Sequence, residues 1–229
     1  MWREYPTTPE ECWQQSSQGK YYHAALAWAR KDGRIGKFPL LRYVPVNSFW
    51  DLGATDSTAV WLHQRIGPMD RWVGFREASG EGLLPFILWM ESLGCVWGTH
   101  FLPHDASNQK QGVEQNTSTL TQFQEIRPSW SFQVVPVVRT VQHGIDLVRA
   151  DFDTYEFDAE GCKEGLAHIE AYSREWNNRL QWWTDQPRHD EHSHAADALR
   201  QKAQAYEDFS DPSTGKPRRP RRRASGLTA

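Results

Sequence analysis

Residues 44–76 read VPVNSFWDLGATDSTAVWLHQRIGPMDRWVGFR. Three short runs within it are rich in β-branched and aromatic residues: Val44 to Leu52, Thr58 to Gln64 and Arg71 to Arg76. Gly67-Pro68-Met69-Asp70 supplies a turn between the last two. This pattern predicts an antiparallel meander of three strands. Beyond it the sequence predicts a helix around Leu83 to Leu93, a strand at Thr99 to Leu102, a helix from about Ser118 to Ile126 and a strand at Ser131 to Val138. Because the meander occupies one edge, the fourth strand is left to pair parallel to the first. The expectation is an α/β fold with a mixed five-stranded sheet flanked by helices. Its first and fourth strands end side by side, where open α/β sheets carry their ligand sites.

Working outward, Thr8-Pro9-Glu10-Glu11 has the form of a helix start, and Tyr22, Leu26 and Ala29 give a second helical pattern that runs to Gly33. Residues 1–43 therefore read as linker helices leading into a domain at 44–208. On the other side, helical patterns at Val141 to Arg149 and Ala159 to Trp176 precede an irregular Trp-containing stretch and a helix from about Ser193 to Tyr206. Residues 209–229 are polar, Pro-rich and basic, and read as a disordered tail.

Twelve Trp and ten Phe give the chain the apolar area for a real core, although only 38% of its residues are hydrophobic. Cys12, Cys95 and Cys162 lie far apart with no C-x-x-C pair, which excludes a zinc ribbon or a redox pair and suits a reducing compartment. The apolar run Gly82 to Met90 is about half of the ~18 residues a membrane span needs, so a soluble intracellular protein is expected, with no membrane partner. The net charge is −3, and setting aside the six positive charges of residues 212–229 leaves −9. An acidic body is a poor general binder of nucleic acid. Contact with DNA must then be local, bridged by metal ions, or made by the basic tail.

Asp51 closes the first strand in Phe49-Trp50-Asp51-Leu52-Gly53, and Asp105 follows the fourth in Phe101-Leu102-Pro103-His104-Asp105. Taken singly, an Asp after a strand is ordinarily a turn former. Two of them at one sheet edge repel and resist ionisation, and a divalent cation offsets that repulsion. Mg²⁺ suits such a place, since it takes a few carboxylate oxygens together with water and substrate phosphate. His192-Ser193-His194-Ala195-Ala196-Asp197-Ala198-Leu199-Arg200 surrounds a third acid with small residues that permit close packing on the sheet. A helix crossing the strand ends there completes a cluster of Asp51, Asp105 and Asp197, able to hold two metals ~3.5–4 Å apart.

Asp51 to Thr58 (DLGATDST), Leu102 to Asp105 (LPHD) and His194 to Arg200 (HAADALR) together resemble the nuclease domain of phage terminase large subunits. The leading Glu4 to Glu11 (EYPTTPEE) is similar to the stretch where that family's ATPase part gives way to its nuclease. The resemblance covers roughly residues 4 to 208. It implies a ribonuclease-H-like fold, an endonuclease dependent on Mg²⁺ or Mn²⁺, and a role in the host cytoplasm cutting concatemeric viral DNA. It also implies that Asp51, Asp105 and Asp197 are the metal-binding acids, with Asp56 and Asp190 as accessory carboxylates. His194 is placed to orient Asp197 or a phosphate, or, with His189 and His192, to cap the helix start. Lys110 and Arg139 are positioned to touch double-stranded DNA, and Arg218, Arg219, Arg221, Arg222 and Arg223 to tether it. The family's phosphate loop, G-x-x-x-x-G-K-[ST], has no match here. Its ATPase domain, the small terminase subunit and the portal are therefore expected as partners.

Two other readings use the same residues. Asp51-Leu52-Gly53 followed by Ser57-Thr58 suits a nucleotide-cradling hairpin of an actin-like or sugar-kinase-like ATPase, although that architecture needs a second domain and phosphate loop. A Holliday-junction resolvase or transposase shares the acid cluster. In a third, noncatalytic reading the acids are turn formers and the basic tail alone binds.

Overall fold

Burial on both faces of Val46–Asp51 (β2) fits its place in the middle of a sheet. Val46, Ser48 and Trp50 are buried on one face and Phe49 on the other. In the computed structural model, which describes residues 17–53, 57–108, 117–137 and 140–208 (206–208 as backbone), β2 is followed by Ser57–Ile66 (β3) and Met69–Ser79 (β4). The three pair antiparallel, and Gly67 makes the tight β3–β4 turn at φ +54°. Trp97–Leu102 (β5) runs parallel to β2, with Phe49 opposite Phe101, as the meander rule requires. Ser131–Val134 (β6) extends the sheet parallel to β5.

The expected five strands are joined by two more. Ile35–Gly36 (β1) and Tyr155–Asp158 (β7) add to the β4 side, giving the order β1-β7-β4-β3-β2-β5-β6. The segment read as linker helices is therefore tied into the fold. Helix α1 (His23–Lys31) buries Leu26 and Ala29, Tyr21 and Tyr22 join the same core, and β1 pairs with β7. The long helix expected over 159–176 is shorter, Lys163–Ala171 (α5), because Tyr172 and Ser173 turn the chain into a separate hairpin of Arg174–Asn177 (β8) and Trp182–Pro187 (β9). The helix start at Thr8 to Glu11, Asp56, Lys110, Arg139 and the tail arginines lie outside the described residues.

Helices cover both faces of the sheet. On one, Leu83–Ser92 (α2) and Thr119–Ile126 (α3) bring Phe86, Ile87, Met90 and Phe123 onto Trp50, Val60 and Leu62. Pro85 sits in the first turn of α2, where its missing N–H has no helical partner to lose. Ser118 caps α3, accepting a hydrogen bond from the Thr121 amide at 3.1 Å. On the other face, α1, Val141–Asp151 (α4), α5 and Ser193–Asp208 (α6) enclose Phe49, Trp61, Trp72, Phe75 and Phe157. Gly165 sets the depth of α5. A Cβ there would lie 2.5 Å from the Trp61 ring and 2.7 Å from that of Phe75, so only glycine lets the helix approach this closely. No helix among the described residues is long and apolar enough to cross a membrane.

Candidate acidic site at the sheet edge

Pairing places Asp51 opposite Ala59 and Ala59 opposite Glu77, so these three residues form a row across β2, β3 and β4 on the face covered by α6. Ala59 is small, which leaves room above it between the two acids. Helix α6 descends over this row because its first turns carry little bulk: Ala195, Ala196 and Ala198 are fully buried. Trp61, one residue pair further along β3, donates its indole N–H to the Ala195 carbonyl at 2.8 Å and pins the helix to the sheet.

The result is a meeting of residues 143 positions apart. His194 Nδ1 lies 3.1 Å from Asp51 Oδ2, and the Asp51 carboxylate draws the imidazole pKa up. One turn later Asp197 faces the same place. Burial, reinforced by the Asp51 charge and opposed by Arg200, pushes its carboxyl up to about 6. Arg200 Nη2 stands 2.7 Å from Asp197 Oδ1, while its Nε and Nη1 are buried without hydrogen-bond partners. Glu77 has a side chain only 8% exposed and an Oε2 without a hydrogen bond, and burial raises its pKa against the pull of His168. Three carboxyl groups are thus gathered about one arginine and the imidazoles of His194, His168 and His189, and burial makes two of the three hard to ionise.

The residues expected here divide into three groups. Asp51, Asp197 and His194 come together. Asp105 lies exposed in the 3₁₀ turn His104–Ser107 after β5, at the end of the sheet where β2 and β5 finish side by side. Among the described residues, no three His, Cys, Asp or Glu side chains stand close enough to hold a metal by themselves. Asp190 accepts from the His192 amide at 3.0 Å and pairs with Arg188 at 3.2 Å, organising the turn before α6. Glu77 is the acid that sequence reasoning missed. Its signal is a charged residue on the inward face of a strand, and the β-bulge at Leu62/His63 shifts the alternation that would have exposed it.

No protein-family model and no curated protein sequence matches the chain. Solved structures do match. The P22 large terminase nuclease domain superposes with a TM-score of 0.59 at 13% identity, over 84% of this chain and 94% of that one. The large terminase nuclease of the thermophilic phage G20c with bound magnesium gives 0.51 at 11%, over 83% and 97%. A large terminase from another thermophilic bacteriophage, in complex with ADP, gives 0.55 at 14%, over 75% of this chain but 42% of its own. The chain thus spans less than half of that larger protein. The likeness establishes the fold, that of ribonuclease-H-like terminase nuclease domains.

Proposed function

We propose that this chain is a divalent-metal-dependent DNA endonuclease, the nuclease part of a phage genome-packaging motor acting in the host cytoplasm. The observation that carries the reading is the convergence of Asp51 and Asp197, from the end of a central strand and the first turns of α6, in surroundings dry enough to raise the Asp197 carboxyl. Hard carboxylate oxygens in a partly dry site fit Mg²⁺ or Mn²⁺ better than a softer ion. Asp51 and Asp197 would hold the metal, and Asp105 would supply the third carboxylate from its turn at the same sheet end. A cation held there would supply a water of lowered pKa and electrostatic stabilisation for the leaving group.

The chain's own residues do the rest. Asp51 anchors the site because its strand is paired on both sides. His194 stays oriented by its contact with Asp51 and holds a proton next to the acids. Arg200 offsets part of the charge on Asp197. Glu77 and Ala59 bound the far side of the hollow. DNA is the substrate, with the Arg218 to Arg223 tail and Lys110 and Arg139 as its phosphate contacts. The ATPase domain, small subunit and portal are the remaining partners.

Cleavage of supercoiled plasmid in Mg²⁺ or Mn²⁺, abolished by chelator and by Asp51→Asn, is the test. Asp105→Asn tests the turn carboxylate: full cleavage by that variant removes Asp105 from the site. Absence of any metal-stimulated cutting by the wild-type chain overturns the reading itself.

A further inference from the structure

The three histidines before α6 have separate tasks. His194 faces Asp51, and His189 Nδ1 contacts the Ser193 hydroxyl at 3.2 Å. His192 turns the other way, and its Nδ1 lies 3.0 Å from Nδ1 of His168 on α5. His168 in turn presents its Nε2 to Glu77 Oε2 at 3.8 Å. A line of side chains therefore runs from β4 through α5 to the turn that begins α6.

The chemistry of this line is directional. Two imidazole nitrogens at 3.0 Å are satisfied when one carries the proton and the other does not. Each ring has a carboxylate near its Nε2, Glu77 at 3.8 Å from His168 and Glu191 at 3.7 Å from His192. Glu191 is 79% exposed and screened by water, whereas Glu77 is buried, so the proton is favoured on His168 Nε2 and its Nδ1 accepts from His192 Nδ1–H. The turn at the receiving end is itself stiff. Asp190 accepts from the amides of His192 and Ser193 through its side chain and carbonyl, and from the Ser193 hydroxyl. At the other end α5 is fixed in depth by Gly165 against Trp61 and Phe75, one turn before His168.

We propose that the His168–His192 contact is a side-chain clamp that fixes the start of α6 and so places His194 and Asp197 against Asp51, with Glu77 serving to set which nitrogen of His168 carries the proton. These are positioning residues. Nothing in their geometry requires them to touch DNA. The effect on cutting rests on the nuclease reading, whereas the effect on geometry does not.

Two substitutions of His168 separate the contacts. In the full chain, His168→Asn keeps an amide where Nδ1 stood and retains the His192 contact. His168→Gln keeps one where Nε2 stood and loses it. Calorimetry with Mn²⁺ alone should show His168→Asn near wild type, and His168→Gln weakened by about 10- to 100-fold, as for other residues that orient metal ligands. Plasmid cleavage should follow the same order, with melting temperatures of the two variants alike. Equal affinity for both variants, or equal loss in both, overturns the clamp. Imidazole nitrogen NMR on the wild-type chain gives an independent reading. Opposite tautomers for His168 and His192 are expected, and two Nε2–H tautomers overturn the proposal. If the wild type neither binds Mn²⁺ nor cuts, the nuclease reading fails, and the NMR result alone decides the clamp.

Discussion

Two clusters of buried charge sit on the same helix, five residues apart, and they are built on opposite principles. Around Lys202 every charge is answered. Its ammonium lies 2.6 Å from Asp70 and 2.8 Å from Asp151, and Asp70 also receives Arg65 at 2.6 Å, His63 at 3.1 Å and the Thr154 hydroxyl at 2.8 Å. Burial alone would raise the Asp70 carboxyl, but His63 and Lys202 outweigh it and hold it well below the usual carboxylate range. Around Asp197 the partners are weaker: Asp51, Asp197 and Glu77 share one guanidinium with the imidazoles of His194, His168 and His189, and burial raises the pKa of two of the three acids. A fold that can close one ion network this fully on α6 has left the other open. Such an imbalance is what a site awaiting a cation needs.

The largest expected effect is on the open cluster. Asp197→Asn should lower metal-dependent plasmid cleavage by ~10³-fold or more, equivalent to about 4 kcal/mol in the barrier, while circular dichroism shows an unchanged fold. Retained cutting would make the two clusters alike in kind. On the closed cluster, Lys202→Met removes the buried ammonium shared by Asp70 and Asp151 and leaves Asp70 with Arg65, His63 and Thr154. It should cost about 3–5 kcal/mol, a fall in Tm on the order of 10 °C by calorimetry. A loss below ~1 kcal/mol would show that Asp70 finds water when its partner goes.

Acid titration should then separate them. The Asp197 carboxyl is raised in the folded state, so between its ordinary value near 4 and about 6 the folded chain holds a proton the unfolded chain has released. Metal-free stability should therefore fall as pH rises through that window, by on the order of 2 kcal/mol, and Asp197→Asn should remove that slope. Asp70 acts oppositely. Its depressed pKa contributes stability above about pH 4 that is lost only as pH drops further. The smallest effect belongs to the shared helix: Trp61→Phe deletes the bond to the Ala195 carbonyl and should cost about 1 kcal/mol in urea unfolding.

The same contrast explains what the sequence made legible. The meander, the parallel neighbour Trp97–Leu102 and the small-residue helix start around Ala195 carry strong local patterns, and with them Asp51 and Asp197 fall into place. Tyr155–Asp158 was hidden because four residues bounded by acids give too short an alternation. Ile35–Gly36 has two residues and becomes a strand only through its partner. The Trp-rich hairpin exposes much of its surface, with Trp182 59% exposed, so no buried face announced it. Lys202, fully buried, reads in sequence as an ordinary solvent-facing helix residue. The distant Asp70 and Asp151, with the Tyr155 ring 4.6 Å from its ammonium, make its burial tolerable.

The Trp61 bond at Ala195 and the ammonium at Lys202 support α6 on either side of Asp197, like a beam resting on two piers. Five residues of helix span about 7.5 Å. If the Lys202 end alone held, a tilt of ~10° would swing the carboxylate by about 1.3 Å, and an error of ~1 Å can cost a hundredfold in rate. With both supports in place, tilt and slide oppose each other, and the carboxylate keeps its aim without any rigidity of its own.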